Sequence, residues 1–316
     1  VTRIVIGTRG SALALWQANH IRDRLQEFEP GLVIELRIIK TQGDKILDTP
    51  LNKVGGKGLF VKEIEEALAR REVDLAVHSI KDVPAQLPEG LVIGAIPKRE
   101  DARDVLITKA GGGLDTLPQG AKVGTSSLRR MCQLRARRPD LRIEMLRGNV
   151  DTRVRKLDEG QYDAIVLAAA GLLRLGHAAR ISEYLAPEIS LPAIGQGALG
   201  LEVRAGDEVT APRVSRLDHE PTARAVAAER GFLARLGAGC QTPVAAHAEY
   251  DAGTIVLEGL IGRPDGTEIH RDRIGGAAWD AEGLGRTLGE RLLARGGDKI
   301  LEECEAAGLP NVVGGA

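Results

Sequence analysis

The sequence predicts an α/β protein made of two similar domains followed by a smaller α+β segment. Short apolar runs alternate with stretches of helical periodicity along most of the chain, the pattern of strand–helix units. A strand, a Gly-Thr pair, a small hydroxyl residue and a helix follow one another twice, as VIGTRGSAL (5–13) and KVGTSSLRR (122–130). The 316 residues, 43% apolar and 28% charged, suit two or three ordinary globular domains.

Taken in order, RIVIG reads as a strand, Ser11 to Phe28 as a helix and LVIELRII as a second strand. A helix over Phe60 to Arg71 precedes the short strand DLAVHS, and LVIGAIP and DVLIT follow as strands. The pattern then restarts with strand AKVGT, a helix from Ser127 to Arg138, strand RIEML, a helix near Thr152 to Asp158 and strand AIVLAAAG. The glycine-rich LPAIGQGALGLEV reads as a return crossing. A helix from Glu220 to Leu236, two strands (VAAHAEY and TIVLEGLIG) and a terminal helix pair complete the chain.

Composition excludes several classes. A net charge of −1 and 3% aromatic residues give neither the field nor the stacking platforms of a nucleic-acid binder. No apolar run is long enough to span a bilayer, and VTRIVIGTRG opens as a strand without the pattern of a signal peptide. Cys132, Cys240 and Cys304 are odd in number and far apart, which predicts reduced thiols in a cytoplasm. The six histidines show no zinc-type spacing, so no metal is expected. KVGGKGLF lacks the spacing of a nucleotide P-loop, and a glycine lid carrying Lys53 and Lys57 is the better reading.

Other stretches point to chemistry. Each Gly-Thr junction places a Ser or Thr at a helix start, where free N–H groups and the helix dipole favour an anion. With Arg9 beside the first and Arg129 and Arg130 beside the second, the pair predicts anion binding by two domains across a cleft. The arginine-rich stretch from Ser126 to Lys156 is either a solvated face or the lining for a small polyanion. DLAVHSIKDVP ends a strand with His78, Ser79, Lys81 and Asp82, and ligands gather at such strand ends. A carboxylate there can be desolvated for acid–base work, or can simply belong to a polar turn. In LGAGCQTPVA, glycines and Pro243 flank Cys240, which is either a presented nucleophile or a small buried residue.

Taken together, IGTRGSALALWQ, GGKGLFVKEIE, AVHSIKDVP, VGTSSLRR, LRGNVDTR, AGLLRLG, IGQGALGLE and ERGFLARLGAGCQTPVA occur in this order. The set closely resembles the porphobilinogen deaminase (hydroxymethylbilane synthase) family over about four-fifths of the chain. The resemblance implies two domains like type II periplasmic binding proteins, at 1–98 with 198–216 and at 103–192, and a third at 220–316. It implies a monomeric cytoplasmic transferase that joins four porphobilinogens head to tail, with loss of ammonia, to give hydroxymethylbilane. The primer is a dipyrromethane cofactor held by a thioether at Cys240. By the same resemblance Asp82 is catalytic. Lys81, Asp82, Thr125, Ser126, Ser127, Arg129, Arg130, Gly148 and Arg153 serve the cofactor. Arg9, Ser11, Lys53, Lys57, Phe60, Arg147, Arg153, Arg174 and Gln196 serve the substrate.

Two positions depart from the family pattern. Ala238 stands where the cysteine loop usually has glycine, and Ile80 where methionine is frequent. A two-domain solute-binding protein and a thiol-dependent hydrolase are the competing classes. The Cys240 loop and third domain count against the first, and the lack of a convincing base against the second.

Overall fold

The computed structural model describes residues 3–45, 58–237 and 243–306. They form two compact units. The first holds 3–45, 58–100 and 198–223, and the second holds 101–197, 224–237 and 243–306. Elements are numbered along the chain. The first unit supplies β1 (Arg3–Thr8), α1 (Ala12–Phe28), β2 (Val33–Ile38), α2 (Gln42–Lys45), α3 (Lys62–Ala69), β3 (Leu75–Ser79) and β4 (Leu91–Ala95). The second supplies β5 (Asp104–Thr108), β6 (Lys122–Gly124), α4 (Leu128–Arg137), β7 (Arg142–Glu144), α5 (Val150–Asp158), β8 (Ala164–Ala168), α6 (Ala169–Arg174) and β9 (Glu183–Leu185). The chain then adds β10 (Leu199–Arg204) and α7 (Ala211–Val214) to the first unit. It ends with α8 (Glu220–Leu236), β11 (Val244–Asp251), β12 (Thr254–Gly262), β13 (Ile269–Ala277), α9 (Ala281–Leu292) and α10 (Asp298–Ala306).

The first sheet has the order β2-β1-β3-β10-β4, and the second β7-β6-β8-β5-β9. In each, the first three strands run parallel and the fourth runs antiparallel to its neighbours. The duplicated Gly-Thr junctions therefore fall at equivalent places, the ends of β1 and β6, and the fold is mixed α/β as expected. Both sheets are covered on two faces. Ile4, Ile6 and Val77 pack against Ile21 and Leu25 of α1, while Ala76 faces Ile64 and Leu68 of α3. Burial on both faces explains why these strands read as continuous apolar runs.

The last segment is an antiparallel β11-β12-β13 sheet whose core gathers Phe232 of α8 with Leu288 and Leu292 of α9. The helices cross at glycines: a Cβ on Gly285 would lie 2.1 Å from the Ala228 carbonyl oxygen, and one on Gly231 2.4 Å from that of Glu282. Here the sequence reading falls short by a strand, since β13 is a third member of the sheet. β9 was also unforeseen, and the strand expected to run through AAAG stops at Ala168, where α6 begins. Among the described residues no helix is long and apolar enough to cross a membrane.

Candidate functional site

In the first unit, polar groups collect at the carboxyl ends of β1 and β3. Ser11 caps α1, its hydroxyl accepting from the Ala14 N–H at 3.3 Å, while buried Thr8 donates to the Ala14 carbonyl. Arg9 follows β1 and grips Asp44 through Nε (3.0 Å) and Nη2 (2.5 Å); its guanidinium carbon lies 4.2 Å from the centroid of the Phe60 ring. Burial would raise Asp44, but Arg9 and Thr41 hold it below the usual carboxylate range. Gln17 of α1 donates to the Ser79 hydroxyl at 3.1 Å, tying the helix to the end of β3.

Beyond Ser79 the chain makes a single 3-10 turn, Ile80–Asp82, with Ile80 buried as its anchor. This turn sets Asp82 at the strand end. The residue keeps some exposure, yet its Oδ1 is buried and has no hydrogen-bond partner. Desolvation pushes the carboxyl up, against the opposing charges of Lys81, Arg9 and His78. A buried carboxylate oxygen without a donor is costly. It is also an unused acceptor suited to an N–H or a cation supplied by a ligand.

In the second unit the equivalent junction carries Thr125, Ser126 and Ser127. The Thr125 hydroxyl accepts from the Ser127 N–H, Ser126 donates to the Leu146 carbonyl, and Ser127 caps α4 by accepting from the Arg130 N–H at 3.4 Å. Arg129 and Arg130, in the first turn of α4, both reach the fully buried Asp104 at the head of β5. Arg129 Nη1 lies 2.6 Å from Oδ2, and Arg130 Nη2 lies 2.8 Å from Oδ1. Ser190 donates to the same carboxylate at 2.7 Å and Gln196 at 2.9 Å. Burial would raise Asp104, but the two guanidiniums hold it far below the usual range.

Two guanidiniums share that one carboxylate, and a third cation lies near. Arg153 of α5 is buried; its Nε donates to the Gly148 carbonyl at 2.7 Å, and among the described residues it has no ion-pair partner. Burial, with Arg130 and Arg147 nearby, lowers it to about 10. Gly148 itself has φ +119°, and a Cβ there would lie 2.6 Å from Thr152 Cγ2, so the turn presenting its carbonyl to Arg153 requires glycine. Arg147 Nε lies 3.3 Å from Met145 Sδ, and Arg174, in the last turn of α6, donates to the Gly197 carbonyl at 2.8 Å.

Within the first unit the structure thus brings together Arg9, Phe60 and Ser11 beside β1 with Lys81 and Asp82 after β3; within the second it gathers the Thr125–Arg130 junction with Gly148, Arg153 and Gln196. Arg129, Arg130 and Gln196 do more than await a ligand: all three satisfy Asp104. Lys53, Lys57, Ala238 and Cys240 lie outside the described residues. Cys132 and Cys304 are buried thiols, pushed up by desolvation, Cys132 to about 12, which leaves them poor nucleophiles. No cluster of His, Cys, Asp or Glu that could hold a metal occurs among the described residues.

Sequence reasoning missed Asp104, Ser190 and Gln17, which organise the arginines and the β3 end. The one available signal was an acidic residue opening the apolar VLI run of DVLIT. Taken by itself, the buried excess of guanidinium charge in the second unit suits ligand carboxylates, and the orphan carboxylate oxygen in the first suits an N–H donor; a dipyrromethane carries both kinds of group.

Comparison with known proteins agrees. The family model described as porphobilinogen deaminase, dipyromethane cofactor binding domain, matches residues 4–212, and that for the porphobilinogen deaminase C-terminal domain matches 223–294. Similar proteins named porphobilinogen deaminase include those of Syntrophotalea carbinolica (55% identity, 97% of this chain and 98% of the relative) and Brevibacillus brevis (55%, 94% and 96%). Another is that of Geobacter sulfurreducens (54%, 96% and 95%). Among solved structures, an ancestral cationic amino acid solute-binding protein matches with TM-score 0.43 at 13% identity, over 68% of this chain and 87% of its own. The Bordetella pertussis BvgS VFT2 domain matches with TM-score 0.40 at 17% identity, over 69% and 86%. With an N-terminal cofactor-binding domain and a C-terminal domain both matched, and more than half of its residues shared with near-full-length relatives, the chain belongs to the porphobilinogen deaminase family, a family of transferases in tetrapyrrole biosynthesis.

Proposed function

We propose that this chain is a hydroxymethylbilane synthase that condenses four porphobilinogens head to tail, with Asp82 as the catalytic group. The observation that carries the assignment is the buried, unpartnered Oδ1 of Asp82 at the end of β3. In each condensation the substrate's aminomethyl C–N bond breaks, ammonia leaves, and a C–C bond forms to the next pyrrole, whose displaced proton must be taken up. Positive charge grows on the pyrrole as ammonia departs. Asp82 accepts the pyrrole N–H and lowers the energy of that charge, the reverse in sign of an oxyanion hole. Its raised proton affinity suits it to collect and return that proton.

The dipyrromethane, when bound through Cys240, supplies the pyrrole carbon at which the first substrate is joined. Arg129, Arg130 and Arg153, with Thr125, Ser126, Ser127, Lys81 and the Gly148 turn, hold its carboxylates and ring N–H groups. Arg9, Ser11, Phe60, Arg147, Arg174 and Gln196 hold the substrate, and Lys53 and Lys57 are assigned to it by the family resemblance. Guanidinium suits this task because it pairs bidentately with carboxylates and keeps its charge.

Three domains, 1–98 with 198–216, 103–192 and 220–316, belong to this reading. Each would own one of the three sheets. The unpaired thiols of Cys132 and Cys304 suit a cytoplasmic setting, and a monomer is expected on gel filtration. The direct test is incubation of the purified protein with porphobilinogen. Ammonia should appear mole for mole with substrate consumed, together with a linear tetrapyrrole. Tight binding of porphobilinogen without ammonia release would instead identify a binding protein.

A further inference from the structure

A second set of titratable groups lies behind the Asp82 turn. His78 is on β3, four residues before Asp82, and its Nε2 is 2.9 Å from Oε2 of Glu202 on β10. The register pairs Gly200 with His78 and Glu202 with Ala76, so both side chains rise from the sheet face covered by α3. Gly200 leaves that space open, and Ile80 fills part of it: a Cβ at 200 would meet Ile80 Cδ1 at 2.5 Å. From α3 above, Glu65 completes the set. His78, Glu202 and Glu65 are 5%, 0% and 7% exposed, so water does not satisfy them. Oε1 of Glu202 and Oε1 of Glu65 are both buried without a hydrogen-bond partner.

Two acceptor-only oxygens left unsatisfied in one apolar compartment call for a proton. A carboxyl that keeps its proton becomes a donor, and only one of the two carboxylates need then be charged. Burial and the Glu202 charge raise Glu65 to about 7, with His78 opposing. The charges facing this compartment come from four places: Glu65 on α3, Glu202 on β10, His78 on β3, and the turn bearing Lys81 and Asp82, with Arg9 acting on Asp82 from the end of β1. Of these, His78 touches both sets, since its charge acts on Glu65 and on Asp82 alike.

We propose that Glu65, His78 and Glu202 form one buried proton-sharing cluster in which Glu202 is a positioning residue, fixing the His78 imidazole and its proton and thereby the charge that Asp82 faces. The inference rests on the catalytic role proposed for Asp82. With Glu202 in place, a proton on His78 favours the ionised form of Asp82. Ionisation of Glu65 as pH rises adds a negative charge that tightens proton binding at its neighbours.

The test is NMR titration of the histidine ring nitrogens in the holoenzyme, read beside pH profiles of turnover. Glu202→Gln keeps the shape and removes the charge. Proton affinity at His78 should fall at least tenfold, a shift of one pH unit. The acid limb of kcat should move to higher pH, KM for porphobilinogen should change less than twofold, and Glu202→Asp should restore part of each shift. A His78 titration unmoved in Glu202→Gln overturns the proposal, as does a loss of kcat with no shift of the acid limb. Should Glu202→Gln fail to fold, Glu65→Gln, which cannot ionise, should likewise lower proton affinity at His78. A His78 titration unmoved in that variant would equally overturn it. Full turnover in Asp82→Asn would refute the catalytic assignment alone, because the His78 titration reports the cluster independently of activity.

Discussion

Asp82 is held in a state that opposes stability. Its carboxyl is raised by desolvation, so the folded protein binds that proton more tightly than the unfolded chain does. The associated stability is present at low pH and is lost as pH rises through the folded-state value. Asp82→Asn removes the titration. It should therefore cut turnover by about 10²–10³-fold, the scale of losing one charge-stabilising group, while melting at pH 8 at a temperature no lower than the parent. Paired kinetic and thermal-unfolding measurements check this, and near-normal turnover would remove Asp82 from the mechanism. Glu65 obeys the same sign rule over a defined window, from its ordinary value of 4.5 up to about 7. Glu65→Gln should lose ground to the parent near pH 4 and gain on it steadily toward pH 8. A Tm difference that stays constant from pH 4 to 8 would contradict the raised proton affinity.

Among the elements, α4 shows how one helix start does two jobs. Ser127 caps it, and the next turn sends Arg129 and Arg130 into the interior to meet Asp104. Removing one partner from a buried charge network typically destabilises by about 3–5 kcal/mol, so Arg129→Leu should lower the melting temperature of the protein even without ligand. Arg153→Leu should behave oppositely. It deletes a buried cation with no carboxylate partner among the described residues, so the cofactor-free protein should gain stability while cofactor loading falls. Thermal melts of both variants, with and without cofactor, separate a structural arginine from a ligand-holding one.

Elements with strong local signals were legible in the sequence. The caps at Ser11 and Ser127 and the apolar runs of β1, β3, β5 and β8 announce themselves, and α8 spans the residues its pattern indicates. β13 did not, because IHRDRIGGA is a sheet-edge strand, bonded among the described residues to β12, with all its residues partly or fully exposed and no apolar face to read. Asp104 was illegible for another reason. An acid at a strand head looks like a turn residue until two arginines from a helix 25 and 26 residues later are found on it.

For the whole molecule, the proposed chemistry rests on one atom. Cys132 and Cys304 are buried with raised thiols, which suits neither to stand in for Cys240, the proposed point of attachment. A serine hydroxyl is a far weaker nucleophile than a partly ionised thiol. Cys240→Ser should therefore abolish covalent loading. Intact mass of the parent should exceed the sequence mass by two pyrrole units, with the excess on the peptide containing Gln241, and the variant should show none. An active parent with no added mass would refute the covalent primer.

The contact of Gly231 with Glu282, and of Gly285 with Ala228, has a mechanical side. Where two helices touch backbone to backbone, no side chain lies between them to act as a bearing. α8 cannot roll about its axis or slide along it without driving a main-chain carbonyl into α9. The two helices therefore behave as a single strut seated on the C-terminal sheet. The heading of α8 at its last residue, Leu236, is set by that strut and by everything packed beneath it.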